Sequence, residues 1–322
     1  MELPPPLRHA VDQALEHTPA ADLARAAEAL SQRYRAETRD GRWHVSSDLQ
    51  AKAYMATRMP ATYAAARAAL GYLSELRPDF GPRALLDVGS GTGAAVWAAQ
   101  NCWASLEQAT LLEGSEAMRR WGKELSAASL VQTDWKTADL RNPLPALKPH
   151  DLVTLAYVLD ELEPPVRSAL IGQLWNLTAD TLLIVEPGTP AGWRRILDAR
   201  DQLLGLGANL VAPCPHTQTC PLTRLEGEWC HFSRRVARSR IHRLAKGGDV
   251  PWEDEKFIYL AVARARVAFP RGRVIAPTKG GSGHLRLRLC AADGSESEQT
   301  FSKRNGEAYQ AARRLDWGDA LD

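Results

Sequence analysis

One short segment constrains the fold more than any other part of this 322-residue chain. Residues 84–88 are apolar apart from Asp87, they run directly into a glycine-rich turn at residues 89–93, and a helical pattern begins at Ala94. Glycine adopts positive φ angles readily and lets a ligand approach the backbone, while the first N–H groups of a helix are free to bind it. A strand, a glycine turn and a helix in this order predict an open α/β sheet with a ligand site at the carboxyl end of its first strand.

Downstream of this turn, short apolar runs alternate with segments of helical periodicity. The apolar runs predict strands at residues 84–88, 109–113, 130–133, 151–156 and 181–186. Helices are predicted between them at residues 94–102, 115–127, 165–177 and 192–206. Because strands and helices alternate, we expect a parallel sheet covered by helices on both faces. A further strand at residues 257–265 is expected to return to this sheet.

Three parts are predicted along the chain. Residues 1–80 are predicted to form a helical N-terminal region with a break near Pro60, residues 81–212 a Rossmann core, and residues 213–322 a basic, cysteine-rich part with β alternation. With 45% hydrophobic residues, the chain can bury a sizeable core. Its apolar runs are too short for a bilayer, and its start lacks a signal or transit pattern. We therefore expect a soluble cytoplasmic protein that makes no membrane contact and is a monomer when free.

The glycine turn fits two nucleotide cofactors. Gly89, Gly91 and Ala94 satisfy the Gly-x-Gly-x-x-Gly/Ala fingerprint of dinucleotide binding, which is a weak signal by itself. Acidic residues at strand ends favour S-adenosylmethionine instead, because Asp87 resembles the acidic residue of methyltransferase motif I and Glu113 can accept hydrogen bonds from both ribose hydroxyls. A degenerate loop without a ligand is the third alternative.

The next two strand ends extend this pattern. Asp134 and Trp135 follow the predicted third strand, where an acceptor for the adenine amino group and a stacking ring are usual, and Tyr157 follows the fourth strand. Four elements in this order predict a class I, S-adenosylmethionine-dependent methyltransferase Rossmann-like fold. The predicted cofactor-binding residues are Asp87, Gly89, Ser90, Gly91, Gly93, Glu113, Asp134, Trp135 and Tyr157.

The sequence does not identify a catalytic residue. The segment after the fourth strand, YVLDEL at residues 157–162, is not the Asn/Asp-Pro-Pro-Tyr motif that holds an exocyclic base amine. It also lacks a cysteine that could attack a pyrimidine ring. Methyl transfer often needs only proximity and alignment, so the catalytic residue stays unknown.

Four of the five cysteines lie in the last third of the chain, at Cys214, Cys220, Cys230 and Cys290. Disulfides are not expected in a cytosolic protein, and unrelated cysteines can simply pack in a core. Four thiolates can also hold a structural zinc ion or an iron–sulfur cluster. The residues alone do not separate these two kinds of site, although their spacing lacks the Cys-x₂₋₄-Cys knuckles that are usual in zinc modules.

The cysteine block also carries a family resemblance. The pattern CPH, CPL and WCHF over residues 214–232, with LAYVLDEL at residues 155–162 and EPGTP at residues 186–190, resembles methyltransferase-like proteins of the mitochondrial ribosomal small subunit and their bacterial relatives. The resemblance covers most of the chain from Ala53 onward. It implies a 4Fe–4S cluster on the four cysteines, with zinc as the alternative, and an S-adenosylmethionine pocket. It also implies a role on the small ribosomal subunit or on its precursor 16S-type rRNA.

A basic segment directly follows Cys230. Residues 213–322 carry 19 Lys or Arg against 13 Asp or Glu, whereas residues 1–212 carry 21 against 25. A helix over residues 231–246 would turn Val236, Ile241 and Leu244 inward and its arginines outward, where a guanidinium suits phosphate. The predicted RNA-binding residues are Arg234, Arg235, Arg238, Arg240 and Arg243. The other interpretation is a solvated basic helix without a partner.

Two functional classes follow from these residues and from the resemblance. The chain is predicted to be either an rRNA methyltransferase or a non-catalytic small-subunit assembly factor that uses the same pocket and basic surface only to bind. The alternative is a small-molecule methyltransferase with a zinc clip, which predicts no affinity for RNA.

Overall fold

A computed structural model of the protein describes residues 1–247 and 249–321. The N-terminal region consists of the helices α1 (Pro5–Leu15), α2 (Ala20–Arg35), α3 (Asp48–Thr57) and α4 (Met59–Leu76). Ser47 begins α3 because its side chain accepts a hydrogen bond from the backbone N–H of Gln50. The break predicted near Pro60 lies at Arg58, between α3 and α4, and Pro60 occupies the first turn of α4, where no N–H is needed.

An eight-stranded sheet forms the centre of the fold. Its strands are β1 (Ala84–Val88), β2 (Gln108–Glu113), β3 (Gln132–Thr137), β4 (His150–Ala156), β5 (Thr178–Pro187), β6 (Asn209–Ala212), β7 (Phe232–Ala237) and β8 (Trp252–Ala263). The helices between them are α5 (Ala94–Gln100), α6 (Glu116–Ser126), α7 (Pro164–Asn176), α8 (Pro190–Gly205) and α9 (Arg240–Lys246). The strand order is β3-β2-β1-β4-β5-β8-β6, and β7 pairs with the first half of β8.

This strand order defines where a ligand can lie. The neighbours among β1 to β5 are parallel, whereas β8 runs antiparallel to β5, β6 and β7. The order reverses between β1 and β4, so the loops that follow these two strands diverge and leave a crevice at their carboxyl ends. A parallel sheet with an antiparallel strand between β5 and β6 is the class I methyltransferase Rossmann-like fold. The predicted fold class is confirmed, and β8 is the strand that was expected to return to the sheet.

A second, smaller sheet is built from the last fifty residues. It contains β9 (Gly272–Val274), β10 (Lys279–Gly281), β11 (His284–Ala291), β12 (Glu296–Ser302) and β13 (Ala320–Leu321), and α10 (Glu307–Ala312) packs on it. Along β11, Leu285, Leu287 and Leu289 are buried in a core of this sheet, as the alternation predicts. Cys290 instead packs into the main core. Strand β11 therefore joins the two parts of the protein.

Two predicted elements differ from the structure. The third strand begins at Gln132 and ends at Thr137, because its ladder with β2 pairs these residues with Gln108 and Glu113, and Leu130 is 95% exposed. The helix expected over residues 231–246 was wrong. Its first part is the strand β7, which forms an antiparallel ladder with β8 from the pair Phe232 and Phe257 to the pair Ala237 and Trp252, and only α9 is helical.

Candidate cofactor pocket and cysteine cavity

The glycine turn after β1 has the conformation that its sequence predicts. Gly89 has a φ of 66°, and a Cβ atom there would lie 2.5 Å from Cγ2 of Val158, in the turn after β4. Gly93 has a φ of 86° and begins α5. Residues with a Cβ are strained at such angles. The two loops at the point where the strand order reverses are therefore in contact through a glycine.

Glu113, at the end of β2, holds this turn in place. Its Oε2 accepts a hydrogen bond from the backbone N–H of Gly91 at 2.8 Å, and its Oε1 accepts one from Ser115 N at 2.7 Å. The carboxyl group is buried, and burial raises its pKa, although these two backbone donors oppose the rise. The side chain is thus fixed against the glycine turn by groups that belong to two consecutive loops.

A cavity of about 380 Å³ lies above this carboxylate. One wall is the carboxyl edge of the sheet, with Gly89, Gly91 and Tyr157. The other wall comes from the N-terminal region, which contributes Tyr34, Trp43, His44, Tyr54 and Arg58. We call this cavity the cofactor pocket. Its lining of aromatic rings and a few polar groups is typical of a small-molecule site.

Two residues with a strained backbone line the cofactor pocket. Glu37 and Tyr157 are the non-glycine residues with positive φ in the described chain, at 45° and 59°, and both line the pocket. Tyr157 donates a hydrogen bond from its hydroxyl to Oε1 of Glu255 at 2.7 Å. Burial is the main reason why the pKa values of both Tyr157 and Glu255 are raised. Strain of this kind is concentrated at functional sites.

A buried ion pair supports these strained residues. Glu186, at the end of β5, accepts hydrogen bonds from Leu159 N at 3.0 Å and from Nε of Arg195 at 2.8 Å. Arg195 also donates to Oε1 of Glu37 at 2.9 Å. This network connects the turn after β4 to the N-terminal wall. Sequence reasoning did not assign these residues to a site; Glu186 could have been found as a carboxylate at the end of a parallel strand.

Seven of the predicted cofactor residues lie at or directly beneath the cofactor pocket. Gly89, Gly91, Glu113 and Tyr157 line the cofactor pocket, and Ser90 and Gly93 belong to the same turn. Asp87 lies beneath the turn, where its Oδ1 accepts a hydrogen bond from the Thr154 hydroxyl at 2.7 Å and burial raises its pKa to about 7.

Asp134 and Trp135 lie farther from the pocket. Asp134 is exposed within β3 and pairs with Lys136 at 2.8 Å, and it does not line the cofactor pocket. Trp135 is packed so closely against α6 that a Cβ on Gly122 would lie 2.1 Å from its ring. Trp135 therefore supports the fold of the helix and the turn rather than a cavity wall.

The four C-terminal cysteines converge on one place. Cys214 follows β6, Cys220 and Cys230 lie in the connection to β7, Cys290 lies on β11, and all four line a cavity of about 30 Å³. We call it the cysteine cavity. The cysteines are free thiols, and burial raises the pKa of Cys214 to about 11. Nε2 of His216 lies 3.3 Å from Sγ of Cys290.

The arrangement of possible metal ligands in the described part of the chain bears on what the cysteine cavity can hold. Among residues 1–247 and 249–321, no group of three or more His, Cys, Asp or Glu side chains is arranged so that it could hold a metal ion. The four thiols nevertheless surround a common volume. Four thiolates are the donor set of a 4Fe–4S cluster and also of a structural zinc ion.

The arginines predicted to bind RNA are mostly engaged within the protein. Arg234 donates to the Tyr72 hydroxyl at 2.7 Å, Arg235 pairs with Asp254 at 2.9 Å, and Arg238 pairs with Glu253 at 2.8 Å. The guanidinium of Arg235 also lies 3.7 Å from the ring centre of Trp252. These three side chains do not fan outward from a helix, while Arg240 and Arg243 do lie on α9. Leu244, expected to face inward, is 53% exposed.

The strand order and the glycine turn define this chain as a class I methyltransferase-like protein. Over residues 48–322 it matches the model of the family described as mitochondrial small ribosomal subunit Rsm22, and it belongs to this family. The family resemblance seen in the sequence is confirmed. No helix in the described part of the chain has the length and apolar character needed to cross a membrane.

Curated relatives are longer than this chain. It is 31% identical to the ribosome assembly protein METTL17, mitochondrial, of Homo sapiens over 83% of this chain and 61% of that protein. It is 24% identical to the Rsm22-cox11 tandem protein 2, mitochondrial, of Schizosaccharomyces pombe over 85% of this chain and 43% of that protein. The chain thus spans between two fifths and three fifths of the relatives it matches.

Solved structures are similar only at a distance. The crystal structure of magnesium protoporphyrin IX methyltransferase from Synechocystis PCC 6803 with bound SAM has a TM-score of 0.42 and 15% identity, covering 73% of this chain and 91% of that chain. A similarity this low carries no information about what the present protein binds.

Proposed function

We propose that the protein is an assembly factor of the small ribosomal subunit that binds S-adenosylmethionine in its cofactor pocket. The observation that carries the cofactor is the carboxylate of Glu113, which two backbone N–H groups fix at the floor of the pocket. Each carboxylate oxygen keeps a free lone pair and can accept a ribose hydroxyl. Gly89 and Gly91 leave room for the cofactor to approach the backbone.

The N-terminal wall supports this proposal in a second way. Tyr34, Trp43 and Tyr54 line the cofactor pocket together with Gly89 and Gly91, so a bound cofactor would contact both aromatic rings and the glycine turn. Such a wall excludes water and favours a molecule with a flat base and a cationic centre. S-adenosylmethionine has both, and when bound it would supply a methyl group on its sulfonium.

We infer that the cysteine cavity holds a 4Fe–4S cluster, with a single zinc ion as the alternative. The support is the family membership together with four thiols that line one cavity. Three of these thiols belong to the segment between β6 and β7, and Cys290 belongs to the second sheet. A bound cluster would therefore join the Rossmann core to the second sheet, and its binding energy would add to the folding energy of this region.

The ribosomal role rests on the relatives. The family description names the mitochondrial small ribosomal subunit, and the human relative is named a ribosome assembly protein. We propose that this chain binds the small subunit or its precursor rRNA, and that α9 contributes Arg240 and Arg243 to the contact, because these arginines are not held by carboxylates in the described part of the chain. A cytoplasmic location stays a prediction.

Methyl transfer is a second candidate function. It is favoured by Tyr157, which has a strained backbone, follows β4 at the edge of the cofactor pocket, and donates its hydroxyl to Glu255. Tritium transfer from labelled S-adenosylmethionine to immature small subunits separates the two functions. Binding without transfer supports the assembly factor, whereas stoichiometric transfer that a Tyr157→Phe variant loses supports the enzyme.

The contact with RNA is tested by charge reversal on α9. We expect that Arg240→Glu with Arg243→Glu weakens binding to small-subunit rRNA and reduces the slope of log affinity against log salt by about two, since each lost phosphate contact removes about one. A matched control is Arg286→Glu, on the second sheet, which also reverses an exposed arginine. If the α9 variant binds the rRNA as the wild type does and the control binds it more weakly, the contact with RNA lies on the second sheet and not on α9.

Iron, sulfide and zinc content, measured on protein purified without oxygen, tests the cluster. Iron and sulfide near four per chain with broad visible absorption would support it, and Cys290→Ser should remove both. One zinc per chain without sulfide would replace the cluster with a zinc clip and reopen the small-molecule alternative.

A further inference from the structure

Two arginine side chains are buried beside the cysteine cavity. Arg200, on α8, is 3% exposed, and Arg273, on β9, is 1% exposed and is among the largest fully buried side chains of the protein. Both line the cavity together with the four cysteines. Arg273 is the ladder partner of Cys290, so the two side chains project from the same face of the second sheet. Guanidinium groups are rarely buried unless they are paired.

The charges of these arginines are poorly matched by the protein. Arg200 donates to the carbonyl oxygens of His216 and Gln218 at 3.1 and 2.7 Å and reaches the exposed carboxylate of Asp201 at 3.2 Å. Arg273 donates to the carbonyls of Pro213 and Gly318, each at 2.9 Å. Across residues 1–247 and 249–321, Nε of Arg200 and Nη2 of Arg273 have no hydrogen-bond partner, and Arg273 has no ion pair.

Backbone carbonyls satisfy donors but do not neutralise a charge. Two buried cations without adequate counter-charge would destabilise the fold strongly. A centre held by four thiolates around a core of charge two plus carries a net charge of two minus. This charge is equal in size and opposite in sign to the combined charge of the two guanidiniums that line the same cavity, and each of those guanidiniums has an unpartnered N–H group.

We propose that Arg200 and Arg273 are the counter-charges of the anionic centre that the four cysteines hold, and that they set its retention and its reduction potential. This inference rests on the proposed cysteine-bound centre. It assigns the arginines as positioning and charge-balancing residues, not as ligands. Positive charge and hydrogen bonds near a cluster raise its reduction potential, because reduction adds a negative charge.

The test compares each variant with and without the centre. Arg200→Met and Arg273→Met remove the charge and keep an unbranched apolar side chain, while Arg200→Lys and Arg273→Lys keep the charge. Arg264→Met is the remote control, because Arg264 also donates to two backbone carbonyls, of Thr178 and Trp175, but does not line the cysteine cavity. All proteins are purified without oxygen, and half of each sample is stripped by a chelator.

We expect the Met variants to release iron to a chelator about tenfold faster than the wild type, because a buried anion then lacks its partner. Their reduction potential should be lower, and the Lys variants should release iron within about threefold of the wild type. In the loaded form, the Met substitutions should lower the denaturation midpoint relative to the wild type. In the stripped form, the same substitutions should lower it less, or should raise it. The control should show equal changes in both forms.

Several outcomes would overturn the inference. Equal destabilisation of the loaded and stripped forms by the Met variants, with unchanged potential, would make the arginines merely structural. If the Met variants do not fold, folded Lys variants that lose iron tenfold faster would equally contradict a role of the charge. A wild type without iron or sulfide would refute the proposed cluster itself; if it holds zinc instead, the release of zinc tests the arginines in the same way.

Discussion

The carboxylate of Glu113 gives the sharpest test of the cofactor pocket. In Glu113→Gln, the amide oxygen can still accept one of the two backbone hydrogen bonds, from Gly91 or from Ser115, but the amide nitrogen then faces the other N–H. One buried donor loses its partner, so we expect the free energy of unfolding to fall by about 1–3 kcal/mol. This loss is small enough for the variant to stay folded at room temperature.

The effect on cofactor affinity should be separate from this loss of stability. A ribose hydroxyl that donates to a carboxylate contributes about 1.5–3 kcal/mol, against about 1 kcal/mol for a neutral acceptor. Replacing the carboxylate with an amide should therefore weaken S-adenosylmethionine binding about tenfold to a hundredfold. Isothermal titration calorimetry on the folded variant measures the affinity directly.

The matched control is Glu116→Gln, three residues farther along and exposed on the first turn of α6. This substitution removes one carboxylate close to Glu113 but does not change the lining of the pocket. The affinity of the variant for S-adenosylmethionine should therefore stay within about twofold of the wild type. If folded Glu113→Gln binds the cofactor as tightly as Glu116→Gln does, Glu113 does not hold the ribose and the proposed orientation of the cofactor is wrong.

Three further predictions concern the walls of the pocket. Gly89→Ala should destabilise the protein by about 1–3 kcal/mol and abolish cofactor binding, because its Cβ would meet Val158 at 2.5 Å; urea denaturation and calorimetry measure both. Glu186→Gln should lower the free energy of unfolding by about 3 kcal/mol, because it breaks a buried ion pair with Arg195. Burial lowers the pKa of His44 to about 4. The stability that depends on a neutral His44 should therefore be fully present above pH 6.5 and be lost as the pH falls toward 4, because the unfolded chain binds a proton that the folded chain does not. His44→Gln should make the free energy of unfolding less dependent on pH in this range.

Each of these predictions has a control in the chain. Gly207 also has a positive φ, of 80°, but its Cβ would meet nothing within 4 Å, so Gly207→Ala should retain cofactor binding. Asp254→Asn breaks an exposed ion pair with Arg235 and should change stability little. His9 is exposed and does not line the cofactor pocket, so His9→Gln is the matched histidine substitution. A Glu186→Gln variant as stable as Asp254→Asn would show that the buried pair does not support the fold.

Much of the fold follows from local patterns. Strands β1, β2, β4 and β5 and the helices between them lie within a few residues of their predicted bounds, because buried parallel strands and amphipathic helices leave strong periodic signals. The sequence predicts a helix in place of strand β7, because its arginines recur at a spacing that also fits the exposed face of a helix. Its pairing partner β8 begins 15 residues after β7 ends, and the periodicity of the sequence does not reveal which distant strands pair.

The cofactor pocket and the cysteine cavity could likewise be predicted from the sequence only in part. The glycine turn, the acidic residue at the end of β2 and the four cysteines can be recognised in the chain before it folds, because each depends on a residue type that few others can replace. Three other features become visible in the folded protein alone: Asp134 faces solvent, Glu186 and Arg195 support the pocket, and Arg200 and Arg273 lie beside the cysteines. These facts depend on contacts between residues far apart in the chain, and a contact of this kind leaves no periodic trace in the sequence that surrounds either partner.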